Sequence, residues 1–162
     1  MNTHILHATF LLALVACAGD GGTGGTGGTG NADTELEAAF CDILATGPEE
    51  SVRAANTVTE APEVFIDGSK VEIALEPGAT LVTFTPDEVG SFAIGLGSND
   101  TFVVRDVNGN EPELLQTVTG ASCPELAVRY TYDLKAETYS IDFSGASVDE
   151  IELVAEESDD DL

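Results

Sequence analysis

The chain has 162 residues, 30 of them acidic and 5 basic, for a formal net charge of −25. That charge repels nucleic-acid phosphates and anionic lipid headgroups, which argues against both as partners of its acidic part. Histidine occurs only at His4 and His7, methionine only at Met1 and tryptophan nowhere. Past residue 7, therefore, no Ser-His-Asp or Cys-His nucleophile and no imidazole metal site can be assembled.

In chain order, Ile5 to Ala16 is apolar apart from His7 and Thr9. This matches the ~7–15-residue core of an export signal and falls short of the about 20 residues of a spanning helix. No Lys or Arg precedes it, so positive charge there comes from the α-amino group, His4 and His7. The stretch closes on Leu14-Val15-Ala16-Cys17. These residues resemble the lipobox of bacterial lipoproteins: an aliphatic residue, two small residues and a cysteine, with Val15 larger than is usual in its place. The resemblance implies that residues 1–16 are a signal peptide and that Cys17 becomes the mature N-terminus. It also implies a diacylglycerol thioether and a further acyl chain such as palmitate on Cys17, since several chains anchor stably where one does not. Ala18, where aspartate would retain such a protein at the inner membrane, implies sorting to the outer membrane, on its periplasmic or its cell-surface face. The plainer alternative is a secretory signal without lipid, in which Cys17 merely follows the cut.

Gly21-Gly22-Thr23 repeats as Gly24-Gly25-Thr26 and Gly27-Gly28-Thr29. Such glycines lose much entropy on ordering and bring little to pack, so residues 17–32 read as a flexible tether. Its r.m.s. span is about 20 Å and its limit about 50 Å. A phosphate-cradling glycine loop would need a preceding strand and usually a lysine, and both are missing here.

Residues 33–156 read as one domain. Thr34 to Thr46 has helical spacing at Leu36, Phe40, Ile43 and Leu44, a capping box at Thr34 and Glu37, and a stop at Gly47-Pro48. The period then becomes two. Strands are expected near Val52–Thr59 and at Glu63–Ile66, Lys70–Leu75, Thr80–Thr85, Ser91–Gly97, Thr101–Asp106, Glu113–Val118, Leu126–Leu134, Thr138–Ser144 and Asp149–Ala155. Turn pairs such as Asp67-Gly68, Pro77-Gly78, Asn108-Gly109 and Ser144-Gly145 separate them. The fold class is mainly β: an antiparallel β-sandwich, jelly-roll-like or immunoglobulin-like, with one short N-terminal helix. The expected core is Val71, Ile73, Leu75, Val82, Phe84, Phe92, Ile94, Leu96, Phe102, Val104, Val128, Tyr130, Tyr132, Tyr139, Ile141, Phe143, Ile151 and Leu153. Residues 82–104 and 130–153 share an aromatic-aliphatic pattern that suggests two related hairpin-plus-strand units; the alternative is the alternation common to any β-sandwich. Residues 157–162, with Asp159, Asp160 and Asp161, read as an acidic, disordered tail. Within the two units, Val89-Gly90-Ser91-Phe92-Ala93-Ile94 and Ala136-Glu137-Thr138-Tyr139-Ser140-Ile141 resemble the G-x-aromatic-x-aliphatic strand of bacterial pre-peptidase C-terminal domains. That resemblance implies a small secreted β-sandwich with no catalysis of its own.

Three constellations bear on function. Cys41 and Cys123 are the cysteines left beyond Cys17. In an exported protein they are expected to pair and join helix to sandwich; the alternative is two free buried thiols. Asp106, Asn108, Asn110 and Glu111 begin like a calcium loop, but Glu111 and Thr117 stand where an EF-hand needs glycine and glutamate. A polar turn and a calcium site both remain open there. Carboxylates are numerous enough to hide a glycosidase-like pair. The reading is thus a non-catalytic envelope module, held to the membrane by its lipid and contacting an envelope protein or a glycan. It needs no cofactor, calcium aside. The alternatives are an acid-based glycan hydrolase and a calcium-binding surface module.

Overall fold

A computed structural model describes residues 30–64, 68–120 and 122–158, with side chains from Asp33 onward. The signal, Cys17, the glycine repeat, Phe65 to Asp67 and Asp159 to Asp161 lie outside the described residues. In order come a helix, α1 (Gly30–Thr46), and nine described strands: β1 (Glu49–Arg53), β2 (Lys70–Ala74), β3 (Leu81–Phe84), β4 (Gly90–Leu96), β5 (Val103–Arg105), β6 (Glu113–Thr119), β7 (Val128–Leu134), β8 (Tyr139–Asp142) and β9 (Glu150–Ser158). A six-stranded sheet in the order β1-β2-β9-β4-β7-β6 packs on a three-stranded sheet, β3-β8-β5.

The core between the sheets follows from alternation. Val82, Phe84, Val104, Tyr139 and Ile141 of the small sheet meet Val71, Ile73, Ile94, Leu96, Tyr132, Leu134, Ile151 and Leu153 of the large one. Phe84 stacks on Tyr139 with centroids 5.6 Å apart, and Phe102 meets Tyr130 edge-on at 4.9 Å. Of the expected core residues, Leu75, Phe102 and Tyr130 are only partly buried; the others are buried.

Successive strands do not form the expected hairpin units. β3, β4 and β5 alternate between the sheets, and so do β7, β8 and β9. Pairing is reciprocal: β4 lies between β7 and β9, while β8 lies between β3 and β5. The middle strand of each unit is thus flanked by the outer strands of the other. The shared pattern reflects this two-fold exchange, a jelly-roll-like winding, and not local hairpins.

Other expectations are corrected near the ends. The first strand is Glu49–Arg53, which shares only Val52 and Arg53 with the stretch expected near Val52–Thr59, and it pairs with β2 in parallel. Glu63–Ile66 contributes one described bridge, Glu63 to Thr83. The helix starts at Gly30, a turn before Thr34, and takes in three residues assigned to the tether. Glu37 is therefore inside the helix, where its Oε1 accepts the Ser122 backbone N–H at 2.5 Å. The last strand takes in Glu157 and Ser158, which pair with Phe92 and Ser91, so the acidic tail cannot begin at residue 157.

α1 covers the outer face of the large sheet. Its stripe seats Phe40 and Leu44 against Ala93, Val154 and Leu126, with Leu36 and Ile43 partly buried beside them. The outward residues of β4 are small, Ser91, Ala93 and Gly95, which lets the helix approach. A Cβ on Gly95 would lie 2.6 Å from Phe40 Cδ2 and 2.8 Å from Leu126 Cδ1. Cys41 bonds to Cys123 in the connection between β6 and β7. Beneath the first turn, the buried guanidinium of Arg129 donates from Nη2 to Asp33 Oδ1 at 2.5 Å and to Gln116 Oε1 at 3.2 Å. A cation is unfavourable at the positive end of a helix, and Asp33 offsets that cost.

Candidate functional site

The connection from β5 to β6 leaves the small sheet and enters the large one. Its turn is built by Asp106, whose Oδ1 accepts the backbone N–H groups of Asn108 and Asn110, each at 2.8 Å. The Asn110 side-chain amide donates to Asp106 Oδ2 at 3.0 Å, and Gly109 takes the φ of +83° that closes the turn. Asparagine, aspartate and glycine are the residue types such a turn requires. These bonds, the Asn110 side-chain amide first and its backbone N–H next, hold the Asp106 carboxyl below the usual aspartate range. A lowered folded value adds stability above the unfolded value, and that stability is lost as pH falls through the folded one. Glu111 lies 3.7 Å from Arg105 Nη2, and Arg105 Nη1 lies 3.8 Å from Asp142.

Asp106, Asn110 and Glu111 line an open hollow of about 280 Å³ together with Glu113, Asp133 and Glu137; Asn108 does not line it. The last three are brought there by the β6–β7 register, which pairs Glu113 with Asp133, and by the turn into β8. There the Tyr139 hydroxyl accepts the Lys135 backbone N–H at 3.0 Å and donates to Glu137 Oε1 at 3.3 Å. Burial is the main cause that raises the Tyr139 phenol. Burial, followed by the charges of Tyr130 and Glu111, pushes Tyr132 up to about 12. Among the described residues, Lys135 is the one cation lining the hollow.

The arrangement attracts cations electrostatically. Among the described residues, no three His, Cys, Asp or Glu side chains converge as metal ligands would, and Asp106 spends both its oxygens on its own turn. Glycan hydrolysis by paired carboxyls needs one held protonated by a raised pKa; Asp106, held low by its own turn, is not suited to that one role. A second acidic concentration lies on the outer face of β2 and β9, where Lys70 Nζ sits 3.1 Å from Glu49 and 3.0 Å from Glu152. Glu72 beside them is raised, chiefly by the charge of Glu150.

Sequence reasoning missed three structural residues. Asp100 is buried and accepts the Ser147 backbone N–H at 2.7 Å and its hydroxyl at 2.8 Å, clamping two connections together. In the sequence it reads as an ordinary turn residue. Arg129 was readable, being an arginine within an apolar strand, and Gly95 by the small outward residues of its strand. Comparison with protein-family models gives no match, and neither does comparison with curated proteins.

Self-repulsion of a −25 chain grows on compaction and is screened over about 10 Å at 0.1 M salt. The melting temperature of the purified protein should therefore rise with NaCl. At constant ionic strength, millimolar calcium should add no further shift. A saturable calcium shift that Asp106→Asn abolishes would overturn the turn-only reading of Asp106 to Glu111, and a melting temperature flat in NaCl would remove the repulsion argument.

Proposed function

We propose that the chain is a bacterial lipoprotein whose Cys17 is acylated, tethering an acidic β-sandwich to the outer membrane as a non-catalytic binding or structural module of the envelope. The observation that carries this reading is the run Leu14-Val15-Ala16-Cys17 between an apolar core and a glycine-threonine repeat. The Cys41–Cys123 disulfide supports it, because such bonds persist in oxidising compartments outside the cytosol. The lack of histidine beyond residue 7 supports the non-catalytic part.

Cys17→Ser should move the protein from the detergent-extracted outer-membrane fraction into the soluble or the uncleaved pool. The wild-type N-terminal peptide should carry diacylglycerol and acyl mass on Cys17. Unchanged fractionation together with an N-terminus free of lipid would refute the anchor.

A further inference from the structure

We propose that the free edge of β6 is a docking site for an extended, cationic segment of a partner protein, which adds to the large sheet as a seventh strand. This rests on the reading of the domain as a binding module and names the chemistry of what it binds.

Sheet edges expose unpaired N–H and C=O groups, and proteins usually blunt them. Three of the four edges here are blunted. β3 is bridged by Ala55 and Glu63. β5 has three residues. β1 carries Glu49, Glu50 and Arg53 among its five. β6 differs in degree: of its seven residues, Glu-Leu-Leu-Gln-Thr-Val-Thr, only Glu113 at its start is charged, none is Pro or Gly, and its one irregularity leaves Gln116–Thr119 regular. It ends the sheet, with no bridge on its outer side among the described residues. Leu114 and Leu115 are 49% and 36% exposed. Thr117 and Thr119 pair with Tyr130 and Val128, whose side chains belong to the core side, yet both threonines are exposed. The register shift between Leu114 and Gln116 limits regular addition to Gln116–Thr119 and leaves the two leucines as an apolar flank. In strand addition, main-chain bonds supply affinity and alternate side chains supply specificity.

Charge selects the occupant. The strand begins at Glu113, on the wall of the hollow shared with Asp106, Glu111, Asp133 and Glu137. A second copy would bring another −25 to this edge and be repelled. An extended segment alternating Lys or Arg with aliphatic residues satisfies the main-chain groups, covers the leucines and neutralises the acidic end.

The probe is a synthetic ten-residue peptide of alternating Lys and Val, with the Glu-Val peptide as control, added to the full chain in detergent. The Lys-Val peptide should bind saturably, weaken as salt rises, and slow amide exchange in Gln116–Thr119. Leu114→Lys with Leu115→Lys, both at exposed positions, should weaken it about tenfold or more without changing the melting temperature, whereas Ser51→Lys, at an exposed position of β1, should leave it unchanged. Failure to bind, equal binding by the double variant, or slowed exchange elsewhere than β6 would overturn the proposal. Protection of β6 in a dimer without peptide would do so too, assigning the edge to a second copy. Binding by Cys17→Ser should match wild type, so loss of the anchor and loss of the edge site are read separately.

Discussion

Replacing Cys41 and Cys123 together by alanine should cost about 4–5 kcal/mol of unfolding free energy. The two residues are 82 apart in sequence, and closing a loop of that length removes about 4.5 kcal/mol of chain entropy from the unfolded ensemble. For a domain with a typical total of about 5–15 kcal/mol, this is a large share. Cys41 also lies on the partly buried flank of the helix cluster, so alanine loses some packing there as well. The disulfide and the Glu37-to-Ser122 bond fasten α1 to the same connection, so the helix should be the first element to loosen. Urea unfolding of wild type and double variant, together with amide exchange in α1, checks this. A loss below about 1 kcal/mol would mean that the unfolded chain is already compact enough for the cross-link to constrain little.

The inner half of the fold was legible because burial on one face of a strand leaves a period-two record. Val71, Ile73, Ile151 and Leu153 could be assigned to a core before any partner was known. Strand partners could not, because alternation marks which face is buried and carries no record of the neighbour. The sequence therefore suggested hairpins where β3, β4 and β5 switch sheets. The parallel pairing of β1 was hidden for the same reason. Its short apolar record, Val52 alone, is swamped by Glu49, Glu50 and Arg53, residues typical of an exposed edge. The capping box misled because Thr34 and Glu37 have the right spacing, while the helix continues a turn further back and Glu37 serves the disulfide-bearing connection.

The candidate site divides similarly. Asp106, Asn108, Asn110 and Glu111 are contiguous, so their turn chemistry could be read directly. Asp133 and Glu137 join them through strand register and the Lys135–Tyr139 bond, neither of which has a local signature. The exposure of β6 was invisible as well: Leu114, Leu115 and Val118 look like ordinary strand residues until the strand is seen to end its sheet with nothing described across from it.

Gly95→Ala should destabilise the protein by about 1–3 kcal/mol, the usual cost of forcing a methyl into a packed site. The added Cβ would meet Phe40 Cδ2 at 2.6 Å, Leu126 Cδ1 at 2.8 Å and Phe40 Cε2 at 2.9 Å. Phe40 is fully buried, so its ring cannot swing out into solvent, and relief requires the ring or the whole helix to shift against the sheet. Against this stands a gain of about 0.5–1 kcal/mol from replacing glycine inside a strand, too small to reverse the sign. Phe40→Ala should cost more, about 3–5 kcal/mol, because it empties the centre of the cluster formed with Leu44, Ala93, Leu126 and Val154. The two effects should not add. Once the ring is gone, the methyl on residue 95 enters the space it vacated, so the double variant should be more stable than the sum predicts by about 1–2 kcal/mol. Urea unfolding of the four proteins in the cycle measures this directly. Simple additivity, or a neutral Gly95→Ala, would show that the helix does not rest on β4 through Phe40. The small outward residues of that strand would then need another explanation.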